Sequence, residues 1–156
     1  MPRVYSVTFE SVTVSAAQDL VQITGAAGKQ ARIIRAWVAA TNTTAPTAQM
    51  LSVRARFLPA TVTNGSGGSA PTPRPLDPGD AAASITALVN NTTKATSSGT
   101  ATILEENGLH AFSGYDYQFP RQPIIGPSQA FVFELLSTVS GTVTLSGGVL
   151  VEESGG

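Results

Sequence analysis

The sequence predicts an all-β protein, an antiparallel β-sandwich in a single domain. Three observations predict it. Apolar and polar residues alternate with period two through most of the chain. Clusters of Gly, Pro, Asn and Ser interrupt the alternation at short intervals, and no segment carries the 3.6-residue apolar period of an amphipathic helix. With 156 residues, the chain can bury about two thirds of its unfolded surface in one core.

The elements follow in order. Residues 4–14 form a strand whose phase slips: Tyr5, Val7 and Phe9 occupy one parity, Val12 and Val14 the other. A β-bulge near Glu10-Ser11 reconciles the halves. Residues 20–23 are a short strand closed by Gly25-Ala26-Ala27-Gly28. Residues 29–40 are a longer one, with Ile34, Ala36 and Val38 on one face and Ile33, Arg35 and Trp37 on the other; residues 41–46 break it. Residues 50–58 alternate most cleanly, Leu51, Val53, Ala55 and Phe57 inward and Ser52, Arg54 and Arg56 outward.

Residues 59–83 read as an extended arm. Asn64-Gly65-Ser66-Gly67-Gly68-Ser69 is flexible, while Pro71, Pro73, Pro75 and Pro78 stiffen the rest toward polyproline II, which costs little to order on a neighbour. Residues 84–89 are a strand before the polar turn Asn90-Asn91-Thr92-Thr93, and residues 100–105 are another before Asn107-Gly108, a tight-turn signal. Residues 109–119 are aromatic-rich, and Pro120, Pro123 and Pro127 punctuate a loop. Residues 130–136 and 142–152 read as a closing hairpin around Ser140-Gly141. About eight strands in this pattern predict a jelly-roll-like sandwich.

Composition argues against catalysis. Only 12% of residues are charged, roughly half the usual ~25%. There is one histidine and no cysteine, so disulfides and thiolate metal sites are excluded. His110 has no motif partner for nucleophilic chemistry and reads as a sheet-edge residue. Asp19, Asp77, Asp80 and Asp116 are dispersed, and Asp77-Pro78-Gly79-Asp80 reads as a Pro-Gly turn rather than a calcium loop. The pairs Glu105-Glu106 and Glu152-Glu153 point to opposite faces of their strands, which suits edge charges and not a catalytic dyad. The Gly65–Gly68 segment lacks the Lys of a phosphate loop. No enzyme, cofactor or metal is expected.

With a net charge of −1 and scattered cations, the chain has no electrostatic footprint for nucleic acid. No stretch approaches the ~20 apolar residues that span a bilayer, and the alternating start has no signal-peptide core, so synthesis in a cytoplasm is expected. Few charges near neutrality suit a subunit of an assembly better than a dispersed monomer.

The segment from Tyr5 to Leu20 resembles small β-rich proteins encoded among the virion structural genes of tailed bacteriophages. So do Asn64 to Ala82, Asn90 to Thr93, and Val149 to Glu153 with the terminal Gly155-Gly156. The resemblance implies a capsid decoration, or cement, protein on the virion surface. Its partner would be the major capsid protein, and it would act as a homo-oligomer, a trimer by the same resemblance. Candidate contact residues are Arg54, Arg56, Arg74, Pro71, Pro73 and Pro75, with Tyr115 and Tyr117 as core or interface aromatics. The competing expectation is a tail- or fibre-associated module that stacks Tyr115, Tyr117 and Phe119 on carbohydrate.

Overall fold

Alternating segments separated by turn residues have one stable outcome, sheets that bury one face each. A computed structural model describes residues 1–155 and is all-β. Its strands are β1 (Arg3–Val14), β2 (Gln18–Thr24), β3 (Gln30–Ala40), β4 (Met50–Leu58), β5 (Val62–Thr63), β6 (Arg74–Pro75) and β7 (Thr86–Asn91). They continue as β8 (Thr96–Ser97), β9 (Thr102–His110), β10 (Gly114–Gln118), β11 (Ile124–Ile125), β12 (Ala130–Leu135) and β13 (Val143–Ser154). No helix among the described residues is long and apolar enough to cross a membrane.

Two antiparallel sheets form the body. Sheet A has the order β10-β3-β13-β1-β6, with β11 also on β3, and sheet B has the order β7-β2-β12-β4-β9. The long strands pair in a nested way: β1 with β13, β2 with β12, β3 with β10, and β4 with β9. The strands β5 and β8 make a separate two-stranded ribbon.

The inner faces meet in one core. Sheet A contributes Tyr5, Val7, Phe9, Ala36, Val38, Val149 and Val151, and sheet B contributes Leu51, Val53, Ala55, Phe131, Phe133 and Leu135. The strand β12 is buried on both faces: Ala130 and Val132 belong to a second cluster with Leu58 and Ala95 on the outer side of sheet B. There the outer side is covered by Ala95, with Val62 and Ala101 packed against the same cluster.

The parity slip in the first strand is a bulge: the β1–β13 register shifts between Phe9 and Val12, and Ser11 takes a φ of 50°. Three local expectations differ from the structure. A second bulge, where β13 passes from Leu150 to Val151 opposite Arg35 and Ile33, leaves Ile34 over. Ile33 is thereby buried with Ala36 and Val38, while Ile34 is only half-buried. Asn107-Gly108 makes no turn; both lie inside β9, opposite Val53 and Ser52. The last two long strands are not a hairpin, since β12 lies in sheet B and β13 in sheet A. Gly141, at φ 70°, turns the chain across from one sheet to the other.

Candidate functional site

The outer face of sheet B is where this charge-poor chain concentrates its charge. In β2 the register against β12 shifts between Phe133 and Glu134, leaving Leu20 over. Leu20 and Val21 then both reach the core, and Asp19 and Gln22 serve the outer face. Across the strands this gives a row Asn91, Asp19, Glu134, Arg54 and Glu106. Two carboxylates thus stand side by side, which like-charge repulsion forbids unless cations flank them.

The cations are Arg54, Arg56 and Lys94. Glu134, fully buried, receives Arg54 at 2.6 Å, Arg56 at 3.3 Å and Lys94 at 2.9 Å. Asp19, 1% exposed, accepts the Ala95 backbone N–H at 2.6 Å and lies 3.6 Å from Arg56. Its other oxygen, Oδ1, has no hydrogen-bond partner. Burial pushes the Asp19 carboxyl up from its ordinary 3.8 to about 6, against the opposing pull of the Ala95 N–H and Arg56.

Beside them, Gln22 and the backbone of Val89 and Thr93 hold down a strap formed by residues 59–85. Gln22 donates from Nε2 to Asn64 Oδ1 at 2.7 Å and accepts the Gly65 N–H at 3.1 Å. A side chain at Gly65 would strike Asn91 and Thr93, so the backbone can approach only as glycine. Ser66 exchanges backbone hydrogen bonds with Thr93, and Ser69 with Val89. The chain then rounds the edge of the sandwich and pairs β6 with β1, Pro75 opposite Tyr5 and Arg74 opposite Ser6. The Tyr5 hydroxyl donates to the Ala81 carbonyl at 2.9 Å, and Glu153 accepts the N–H groups of Ser84 and Ile85, each at 2.9 Å. The segment thus ties sheet B to sheet A along one side.

The residues singled out in the sequence fall into three places. Arg54 and Arg56 lie on the outward face of β4, as the alternation requires, but their guanidinium groups are engaged by Glu134. Arg74, flanked by half-buried Pro75 and buried Pro73, is exposed on β6 with no ion-pair partner among the described residues; Pro71 is half-buried just before it. Tyr115 and Tyr117 stand on β10, at the opposite side of the sandwich. Their rings are half-buried, Tyr115 stacking on Phe133 at 6.1 Å and Tyr117 edge-on to Phe119 at 4.9 Å. Burial, with a smaller push from Glu105, raises the Tyr115 phenol above its ordinary 10.0.

His110 accepts the Phe112 N–H through Nδ1 at 3.3 Å and rests against the Phe112 ring. Among the described residues, no three His, Cys, Asp or Glu side chains are grouped to share a metal ion. Sequence reasoning missed Asp19, Gln22, Lys94 and Glu134. A signal for Glu134 was present: a single acid inside the otherwise apolar run Ala130 to Leu135 must be buried and paired.

No family model matches the chain, and no curated protein matches it. Among solved structures it has a distant likeness to the infectious bursal disease virus Gx strain, at 16% identity and a TM-score of 0.25, covering 100% of this chain and 41% of that one. A likeness of the same kind is to the VP2 subviral particle of infectious bursal disease virus, at 14% identity and a TM-score of 0.16, covering 99% of this chain and 42% of that one. The chain spans about two fifths of the length of each. TM-scores this low do not establish a common fold.

Proposed function

We propose that this chain is a non-enzymatic structural protein of a virion, a decoration protein that binds the major capsid lattice and braces the head. The nested pairing supports the first half of the reading. First strand with last, second with second-last, and so inward, is the winding of a jelly roll, an architecture shared by viral capsid and lectin domains. The internal engagement of charge supports the second half. The acids and bases of sheet B neutralise one another and stiffen the body, a use that stabilises and does not catalyse.

The observation that carries the lattice-binding role is the rim strip on β6. Arg74 projects unpaired, and Leu76 beside it is 58% exposed. Pro73 and Pro75 carry no N–H, so this edge cannot recruit another strand by backbone pairing. It is left to bind through side chains, a guanidinium and an apolar neighbour on a preformed backbone. Little ordering entropy is lost when such a strip docks, and many copies on one lattice add avidity. A homo-oligomer, a trimer in the resemblance, would multiply the contacts further.

The test is quantitative mass spectrometry of purified virions, joined to a rebinding assay. The protein should be near-stoichiometric with the major shell protein. An Arg74→Ala/Leu76→Ser variant should keep its Tm yet co-sediment with stripped heads at least about tenfold more weakly, as expected when about 1.4 kcal/mol of contact is lost. A few copies per particle, or unchanged co-sedimentation, would overturn the reading.

A further inference from the structure

The bulge in β1 does more than correct a phase. Across the outer face of sheet A the register places Thr8, Gly148, Trp37 and Asp116 in one row. The Trp37 side chain leans over Gly148, where a Cβ would lie 2.9 Å from Trp37 Cζ2. Arg35, two residues earlier on the same face, sets its guanidinium 4.6 Å from the centre of the indole ring and is itself held by both oxygens of Asp116. One face of the indole is thus closed by a fixed, neutralised cation.

Trp37 also lines a groove of about 260 Å³ to which Arg35 does not contribute. Trp37, Ala39, Phe9 and Gly147 line it, and its polar residues are Thr8, Glu10 and Ser146. The β1–β13 register shifts beside it, between Phe9 and Val12, at the Glu10-Ser11 bulge. The Ser146 hydroxyl is fixed by the Ser11 N–H at 2.8 Å and by Thr41 Oγ1 at 2.9 Å. The Glu10 carboxylate and the Thr8 hydroxyl have no hydrogen-bond or ion-pair partner among the described residues.

We infer that this groove is a binding site for one pyranose ring of a glycan, stacked on Trp37 with its hydroxyls taken by Glu10 and Thr8. A pyranose has an apolar C–H face that matches an indole and a hydroxyl edge that matches a free carboxylate. The groove is smaller than the ~300–1,000 Å³ of pockets that enclose drug-sized ligands, which suits a single ring of a longer chain. A cationic side chain is the weaker fit. The indole already faces one cation in Arg35, which draws on the ring's negative face and leaves less of that attraction for a second. The site is distinct from the β6 rim and from the Tyr115–Tyr117 side, so it adds an adhesive role to the structural one.

Trp37 is the chain's single tryptophan, so emission from the intact protein reads this groove directly. The probes are the methyl glycosides of glucose, galactose, mannose, rhamnose and N-acetylglucosamine, with arginine methyl ester as the cationic comparison. At least one glycoside should shift the emission saturably, with a Kd on the order of 1–10 mM. Glu10→Gln should weaken that glycoside about tenfold at an unchanged Tm, and Trp37→Ala should abolish its saturation-transfer NMR signal. Failure of every glycoside to saturate would overturn the inference. So would binding unaltered in Glu10→Gln, or saturation by arginine methyl ester alone. None of these outcomes touches head binding, which is read by co-sedimentation.

Discussion

Asp19→Asn makes the pH dependence of the buried charge cluster on sheet B measurable. The wild-type carboxyl sits 1% exposed, with one oxygen hydrogen-bonded by Ala95 and the other without a hydrogen bond, 3.6 Å from Arg56. Its rise from 3.8 to about 6 means that the folded state holds this proton more tightly than the unfolded chain does. The stabilisation from that proton is complete below about pH 3.8 and is lost as pH climbs through about 6. Roughly two pH units, at about 1.4 kcal/mol each, give about 3 kcal/mol. Asparagine keeps the shape and the acceptor for Ala95 but cannot ionise. Relative to wild type, the variant should therefore gain about 2 kcal/mol between pH 4 and pH 7. Urea unfolding of both proteins at intervals across that range measures the gap, and carboxylates remote from Asp19 cancel in the difference. A gap that stays constant with pH, or that moves the opposite way, would refute the claim that burial governs Asp19.

Two further outcomes follow from the packing. Phe131, fully buried between the sheets and edge-on to Phe119 at 5.8 Å, should cost about 3–5 kcal/mol when replaced by alanine, read as a lowered urea midpoint with the m-value unchanged. The Tyr115 phenol should resist ionisation beyond its ordinary 10.0, so ultraviolet titration should show a late-titrating tyrosine that disappears in Tyr115→Phe.

Much of the sandwich was legible because burial of one face is written as period two. The stretch from Leu51 to Phe57 told its inward and outward sets directly, and the parity slip between Phe9 and Val12 told of a bulge. Other features were hidden for physical reasons. Alternation reports which face a residue takes, not which strand lies beside it. Two neighbouring strands around Ser140-Gly141 therefore looked like a hairpin although they enter different sheets. Asn107-Gly108 carries turn chemistry, yet an edge strand tolerates both residues, and Val53 and Ser52 pair with them regardless. The bulges at Leu20 and Ile34 fall within the apolar pairs Leu20-Val21 and Ile33-Ile34, where alternation alone does not say which residue is the extra one. The candidate site was the least legible part. Arg54 and Arg56 announced an outward face, but Lys94 and Ala95, which help to cover it, arrive some 40 residues later.

The nested pairing of strands also sets a schedule for folding. The partner of β1 is β13, and the partner of β2 is β12, so the earliest-made strands have their main hydrogen-bonding neighbours among the last. While the chain is being synthesised, β1 and β2 must remain open-edged until the final strands emerge. Closing such long loops before any contact rewards them places refolding in the slow range of about milliseconds to seconds typical of non-local β proteins. During that wait Tyr5, Val7 and Phe9 are exposed on an unpaired strand, the kind of surface that other chains find. The same nesting means that, once β13 docks between β1 and β3, the first strand cannot leave without the last letting go.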